Sequence, residues 1–287
     1  MVFTSLARSA VGMTRSRATG ISLRSCWAKI DRAKEHRDLL DRHLRDTFSV
    51  ETNRPRLGIK FDARTGRHVL YISYLPDLDH VLRRASLCLG DIMHNFRSAL
   101  DHLTYQLALW NKEGHVSRLK RVQFPILDEP DHFNSARGDA LREVHPDHQA
   151  IIERFQPYHR LPEALGIGPS FNSLAVLRDL DNADKVRLST LVLMPPASLA
   201  AYHGAALTVV ELVLQQTADW AVNAPPITPG SALIEATLPA HVAVAETEAA
   251  GHITPRLRLP EGWPVDHVID RVGAVILRVI GEFQLLL

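Results

Sequence analysis

The chain has 287 residues, of which 46% are hydrophobic and 23% charged, with a mean hydropathy of −0.06 and a formal net charge of +1. These values are typical of an ordinary globular protein and exclude the collagen-like, disordered and membrane-spanning classes. The two cysteines, Cys26 and Cys88, are too few for a disulfide framework or a cysteine-based zinc cluster, which favours a cytoplasmic protein.

The charges are distributed unevenly along the chain. Residues 1–67 carry 15 Lys and Arg against 7 Asp and Glu, a net charge of +8, and the remainder carries −7. A basic front indicates either an end that faces a polyanion or two surfaces that attract each other. Residues 1–21 contain no acidic residue and are expected to form a disordered basic arm. Every long apolar run is interrupted by polar or charged residues, so no membrane association is expected.

The first elements are predicted between residues 22 and 110. Apolar residues at helical spacing within densely charged sequence predict an amphipathic helix over 22–48. Two alternating apolar segments around a glycine-containing turn predict a β-hairpin over 57–74. The longest helical pattern of the chain follows at 79–110.

Weaker signals follow in the rest of the chain. Residues 111–145 are polar and irregular, and short helices are predicted at 146–155 and 170–180. Strands are predicted at 186–194 and 232–245.

These elements together define the expected fold class. We expect an α+β protein with a mainly helical bundle over residues 22–187, in which the β-hairpin is an insertion. A strand-containing segment over 188–287 follows, and a helix that begins at Pro264 closes it.

The helix at 79–110 carries the most informative polar residues. At 100° per residue, positions 87–110 separate into a broad apolar face and a polar arc. The arc is built from Asp, His and Asn rather than from the better helix formers Glu, Lys and Gln, so helix stability alone does not explain it. Its members are Asp91, His94, Asn95, Arg97, Ser98, Asp101 and His102.

Two kinds of chemistry are disfavoured on this arc. Asp91, His94 and Asp101 share a face, but no H-x-x-x-H or E-x-x-H pair is present and Arg97 would repel a cation, so no metal is expected. Ser98 lies in mid-helix, without the sharp turn that a serine nucleophile uses. The sequence contains neither a P-loop nor G-x-G-x-x-G, so no cofactor is expected. The histidines of the loop-like region 132–159 are expected to be solvated; they are His132, His145, His148 and His159.

A third kind of chemistry uses the R-x4-H spacing of Arg97 and His102, with Asp101 as a further candidate catalytic residue. Histidine titrates near neutral pH and can exchange protons with the 2′-hydroxyl or the leaving oxygen of RNA, while a guanidinium holds the phosphate. Two copies facing each other across a homodimer would surround one phosphodiester. Replacing Arg97 or His102 by Ala is then expected to lower cleavage about 10²–10⁴-fold and to leave the fold unchanged.

This spacing resembles the signature of the HEPN superfamily. Many HEPN members are dimeric helical bundles that act as metal-independent endoribonucleases in toxin–antitoxin, abortive-infection and CRISPR systems. The stretch GDIMHNFRSALDHLTYQLA over residues 90–108 is similar to a group of uncharacterised bacterial proteins, frequent in actinobacteria, with a G-D-x-x-H-N-L-R-S-A-L-D-H core. The resemblance implies a helical bundle and RNA as a partner.

The resemblance continues over roughly residues 22–195, through Phe124-Pro-Ile126, Gln156-Pro-Tyr158 and the segment 180–187. The last motif of the group reads N-x-D-K-H-R, and Val186 stands here in place of its histidine. Whether the chain is an enzyme therefore stays open.

A second polar cluster lies at residues 181–187. In one interpretation it contacts a substrate phosphate together with the first helix; the candidate residues are Asn182, Asp184, Lys185 and Arg187. In the other, its Asp and Asn residues end the preceding helix.

Two functions follow from these residues. The first is a HEPN-like RNA-binding protein or metal-independent endoribonuclease of a defence or stress system, acting as a homodimer. The alternative is a non-enzymatic helical scaffold or partner-binding protein, in which the Asp/His/Arg face of the helix is a structural polar network. The two differ in whether Arg97 and His102 reach an open groove or end in internal pairs.

The wheel of the long helix makes a prediction about stability. Because Phe96 lies in the middle of the apolar face, Phe96→Ala should lower the free energy of unfolding by about 3–5 kcal/mol through the cavity it leaves. Chemical denaturation measures this loss. A Phe96 side chain fully exposed to solvent would contradict the prediction.

Overall fold

The computed structural model describes the chain over residues 22–159, 172–185, 191–194, 232–236, 251–252, 256–259 and 263–285. The predicted basic arm at 1–21 lies outside these residues, as do Val186, Arg187 and the end of the strand predicted at 232–245.

Six α-helices make up most of the described part, which is therefore mainly helical, as predicted. They are α1 Arg24–Ser49, α2 Asp79–Asn111, α3 Pro130–Gly138, α4 Pro146–Arg154, α5 Ser173–Asp184 and α6 Val265–Gln284. None of the described helices is long and apolar enough to cross a membrane.

The strands form two small antiparallel sheets. They are β1 Arg56–Asp62, β2 Arg67–Tyr74, β3 Val192–Met194, β4 Ala232–Ala236, β5 Gly251–His252 and β6 Arg256–Arg258. One sheet has the order β4-β2-β1-β5, with Ile59 paired to Leu70 between β1 and β2. The other pairs β3 with β6. Gly66, in the turn between β1 and β2, has a φ of +70°, a conformation that glycine adopts without steric cost because it has no Cβ.

Helix α2 is the centre of the bundle and packs against α1, α5 and α6. Its bounds agree with the prediction to one residue, and its apolar face is buried, with Phe96 only 4% exposed. The prediction of the core face is confirmed. Because His36 of α1 lies beside Asp91 and His43 lies beside Val81, α1 runs antiparallel to α2.

The C-terminal helix closes the core from the other side. Val268, Val272, Ile276 and Phe283 of α6 are buried, whereas Val275 is only partly buried. Helix α6 also contacts α1, because Arg37 of α1 forms an ion pair with Asp270.

Helix α3 corrects the prediction that residues 111–145 are irregular. It begins with Pro130, whose fixed φ suits the first turn of a helix, and it buries one large side chain, Phe133. A nine-residue helix with a single buried aromatic residue has too little periodicity to stand out in a polar segment.

The end of α5 also differs from the prediction. The helix continues to Asp184 instead of stopping at Leu180, so the cluster at 181–184 is part of its last turn rather than a turn that ends it. Its start is capped by Asn172, whose side-chain oxygen accepts hydrogen bonds from the backbone N–H groups of Leu174 and Ala175.

The histidine-rich region is not uniformly solvated, contrary to expectation. His148 is 8% exposed, and its ring lies 5.0 Å from that of Trp110 and 5.7 Å from that of Phe283. Among the described residues its Nδ1 has no hydrogen-bond partner. Burial lowers the pKa of His148, neighbouring His145 lowers it further, and Asp147 opposes the shift.

This burial predicts acid sensitivity of the fold. The side chain of a histidine in the unfolded chain has a pKa of about 6.5. Because burial lowers the pKa of His148 in the folded state, the unfolded state binds the proton first as the pH falls. The folded state therefore loses stability below this pH. His148→Phe should remove this part of the pH dependence. Denaturation at several pH values measures it, with exposed His115→Phe as the control. Parallel pH profiles for His148→Phe and the wild type would contradict the prediction.

Candidate functional site

A cavity of about 520 Å³ lies between α2, α3, α5 and the extended segment 123–127. Six of the residues singled out in the sequence line it: His94, Arg97, Ser98, Asp101, Asn182 and Lys185. It is also lined by residues that the sequence analysis did not assign to a site, including His132, Ser135, Asp139, Arg178 and Asp181.

The other candidate residues lie away from this cavity. Asp91 lies on the exposed side of α2, 3.4 Å from Nδ1 of His36. Asn95 is buried, and its side-chain amide donates to the backbone oxygen of Asp91. His102 is half-buried and is not among the cavity residues, so the structure does not bring it together with Arg97. Arg187 lies outside the described residues.

Arg97 and Asp101 hold the backbone of one residue, Phe124. The Nη2 group of Arg97 donates to the backbone oxygen of Phe124 over 2.7 Å, and the backbone N–H of Phe124 donates to Oδ1 of Asp101 over 2.9 Å. The two side chains are also 3.3 Å apart as an ion pair. They are one turn apart on α2. Together they bind both the N–H and the oxygen of Phe124, the two backbone groups that a neighbouring β-strand would otherwise bind. We call these three residues the Phe124 clamp.

Gln156 holds the other end of the same segment. Its side-chain nitrogen donates to the backbone oxygens of Pro125 and Ile152, and its oxygen accepts from the backbone N–H of Leu127. Gln156 is fully buried, so these bonds satisfy polar groups that water does not reach. The motif at 156–158 therefore holds the cavity wall at 124–127 through Gln156 without lining the cavity itself.

His94 and Asp181 form a second pair across the helices. Nδ1 of His94 lies 3.1 Å from Oδ1 of Asp181, and Nζ of Lys185 lies 2.7 Å from Oδ2 of the same carboxylate. A carboxylate only accepts, so Nδ1 carries the hydrogen, and in the neutral form of the imidazole Nε2 then has the lone pair. The Asp181 side chain is 4% exposed and that of His94 58%, so a buried acid orients an accessible imidazole.

Asp181 belongs to the second polar cluster of the sequence but was not among the predicted site residues. Its spacing of four residues before Lys185 is the only signal that the sequence offered for a paired role. Its partner His94 is 87 positions away along the chain, and no local pattern links the two.

Gly90 allows α2 and α5 to approach closely beside this pair. A Cβ atom at position 90 would lie 2.2 Å from Oδ1 of Asp184, so a larger residue there would collide with that carboxyl. Burial raises the pKa of Asp184, the charges of Asp91 and Asp181 raise it further, and His94 opposes the shift. Asp184 therefore packs against the backbone of α2 and does not line the cavity.

The electrostatics of the cavity are balanced. Its Lys and Arg residues are Arg97, Arg178 and Lys185, and its acids are Asp101, Asp139 and Asp181. Arg178 is paired with Asp128 and Asp179. Burial raises the pKa of Asp101, while Arg97 and the Phe124 N–H oppose the shift. Within the described ranges, no three His, Cys, Asp or Glu side chains converge as they would around a metal ion.

Comparison of the chain with protein-family models, with curated proteins and with solved structures finds no match.

The Phe124 clamp revises the expectation that Arg97→Ala leaves the fold unchanged. Arg97 is only 15% exposed, and its loss leaves the Phe124 oxygen and the Asp101 carboxylate without their partner. Arg97→Ala should lower the free energy of unfolding by about 1.5–3 kcal/mol, the range for a hydrogen bond to a charged group. Denaturation measures the loss. Arg32→Ala is the control, because the exposed ion pair of Arg32 with Glu35 should contribute less than about 1 kcal/mol. Equal losses in the two variants would show that the clamp is not stabilising.

Proposed function

We propose that this chain is a HEPN-like, metal-independent endoribonuclease whose active site is the cavity on α2. One observation supports this function best. A histidine oriented by a buried acid, His94 with Asp181, lines the same cavity as Asp101, a carboxyl group whose pKa is raised by burial. Cleavage of a phosphodiester needs one group that takes a proton and one that gives a proton, and environments that tune two groups differently suit them to these roles.

The spacing along α2 suits a phosphodiester between these two groups. His94 and Asp101 are seven residues apart, so their α-carbons are separated by about 10.5 Å along the helix axis and lie on one face. Arg97 stands between them and lines the same cavity. Its guanidinium has five N–H donors, and the Phe124 oxygen and Asp101 leave others available for a phosphate oxygen.

The proposed reaction uses the RNA's own 2′-hydroxyl. Nε2 of His94 accepts the proton of that hydroxyl, and the 2′-oxygen forms a bond to phosphorus. The bond from phosphorus to the 5′-oxygen breaks, and Asp101 in its protonated form gives a proton to that oxygen. The products are a 2′,3′-cyclic phosphate and a 5′-hydroxyl. The negative charge that develops on the phosphate is stabilised by Arg97.

This proposal differs in one respect from the homodimer expected from the R-x4-H spacing. A single chain already supplies two proton-transfer groups to one cavity, so the chemistry does not depend on His102 of two copies. The HEPN-like relationship, the homodimer and a role in defence or stress are proposals that rest on the R-x4-H spacing of Arg97 and His102.

The reaction predicts the behaviour of two variants. His94→Ala and Asp101→Asn should each lower the rate of cleavage of single-stranded RNA about 10²–10⁴-fold, since each removes one proton-transfer group. Asn at position 101 keeps an oxygen that accepts the Phe124 N–H, so this hydrogen bond of the clamp is retained, while the ion pair with Arg97 is lost. Exposed His115→Ala is the control and should cleave at the wild-type rate. Gel analysis in EDTA, with mapping of the product ends, measures the outcome, and intact RNA with the wild type would overturn the proposal.

The variant His102→Ala distinguishes an active site within one chain from an active site shared by two copies. If the cavity of one chain is sufficient, this variant should cleave at close to the wild-type rate, because His102 does not line it. A loss as large as that of His94→Ala, together with a dimer in sedimentation, would instead support a site shared by two copies.

A specific observation favours the scaffold as a second candidate. Arg97, Asp101 and Gln156 all bind backbone groups of the segment 124–127, as a structural polar network requires. In that function the wild type leaves RNA intact, whereas Arg97→Ala still loses stability.

A further inference from the structure

The N-terminal half of α2 has a basic, exposed surface that the proposed active site does not use. Residues 80–90 contain no Asp or Glu. His80, Arg83 and Arg84 are exposed in this stretch, and Leu87 between them and the cavity is 52% exposed. We call His80, Arg83 and Arg84 the basic stripe of α2.

The basic stripe points along the helix to the cavity. Arg83 and His94 are eleven residues apart, which brings them within about 20° of each other around the axis and about 16.5 Å apart along it. Asp101 follows Arg83 by eighteen residues, which is five complete helical turns, so the two residues lie at nearly the same angle around the helix axis. Arg83, His94 and Asp101 therefore follow one face of α2, whereas His80 is rotated from Arg83 by about 60° and Arg84 by about 100°.

The acid of α2 nearest to the basic stripe is Asp79, one turn before Arg83. Arg83 and Arg84 form no ion pair within the described part of the chain, whereas each Arg or Lys of the cavity is paired with an acid. His43 of α1 lies beside the basic stripe, with its Nε2 3.4 Å from the backbone oxygen of Val81. Burial lowers the pKa of His43, and Arg84 and His80 lower it further, while the contact with the Val81 oxygen and the charge of Asp46 oppose the shift.

We propose that the basic stripe binds the backbone phosphates of a single-stranded polyribonucleotide next to the bond held at the cavity. This inference rests on the proposed function and adds its substrate class, an RNA strand several nucleotides long rather than a mononucleotide. At a rise of about 3.4 Å per stacked nucleotide, the distance from Arg83 to His94 corresponds to about five nucleotides. The Lys and Arg residues of the cavity are matched by an equal number of Asp residues, so the cavity itself attracts a polyanion little. The basic stripe would then supply the electrostatic attraction for the RNA.

The salt dependence of RNA binding tests the inference. The probe is a fluorescein-labelled, unstructured single-stranded RNA, titrated with the full chain carrying His94→Ala so that the RNA survives the experiment. Each phosphate contact with a single strand contributes about 0.7 to the slope of log K against log salt, so adding Arg83→Ala and Arg84→Ala should make the slope shallower by about 1.4. Fluorescence anisotropy at several salt concentrations measures it.

A matched pair of substitutions controls for net charge. Arg24 and Arg32 are exposed on α1, and Arg24→Ala with Arg32→Ala removes the same two charges, yet should leave the slope unchanged. Equal slopes for the two double variants, or no binding of the RNA at low salt, would overturn the inference. Displacement of the RNA by polyglutamate at equal charge concentration would overturn it in favour of an acidic protein partner.

The two proposals fail separately in these experiments. Binding is measured without cleavage, so a reduced slope with no RNA cleavage by the wild type supports the basic stripe and overturns the nuclease. Cleavage by the wild type with an unchanged slope supports the nuclease and overturns the basic stripe.

Discussion

The cavity depends on the Phe124 clamp, in which two side chains of one helix bind the donor and the acceptor of a single peptide backbone position. Segment 123–127 has no strand neighbour among the described residues, so its polar groups need other partners once they are buried. Arg97 and Asp101 provide them at one end and Gln156 at the other. The cavity has a defined wall because these bonds hold an irregular segment at a fixed distance from α2. The same bonds also hold the side chains of Arg97 and Asp101 in fixed orientations at the cavity wall.

The parts of the fold that the sequence predicted are those that depend on local periodicity. Helix α2 has an apolar residue at nearly every core-facing position over many turns, so its bounds and its buried face follow from the spacing alone. Helix α3 buries only Phe133, and a single aromatic residue carries no period. The burial of His148 was not predicted because it is determined by Trp110 and Phe283, which come from two other helices. Which side chains surround an imidazole depends on how the helices pack in the folded core, and the local sequence does not show this.

The site shows the same division. Four members of the polar arc on α2 line one cavity, namely His94, Arg97, Ser98 and Asp101, whereas Asp91, Asn95 and His102 do not. The arc could not show that Arg97 is committed to the Phe124 oxygen, because that bond spans 27 positions in sequence and lies in a segment with no regular structure. Nor could the spacing of Arg97 and His102 distinguish a groove between them from two separate surroundings. An angle of about 140° on a helix allows either, and the packing of neighbouring segments decides.

The close contact between Gly90 and Asp184 has a consequence for how the site is assembled. Since a hydrogen atom alone separates the α2 backbone from that carboxyl, position 90 sets the distance between the axes of two helices. His94 stands one turn beyond Gly90 on α2, and Asp181 stands one turn before Asp184 on α5. A methyl group at position 90 would force Asp184 to rotate or the helices to separate, and separation would lengthen the bond between imidazole and carboxylate without altering either group. Gly90 thus lets α2 and α5 approach closely beside the contact between the imidazole of His94 and the carboxyl of Asp181.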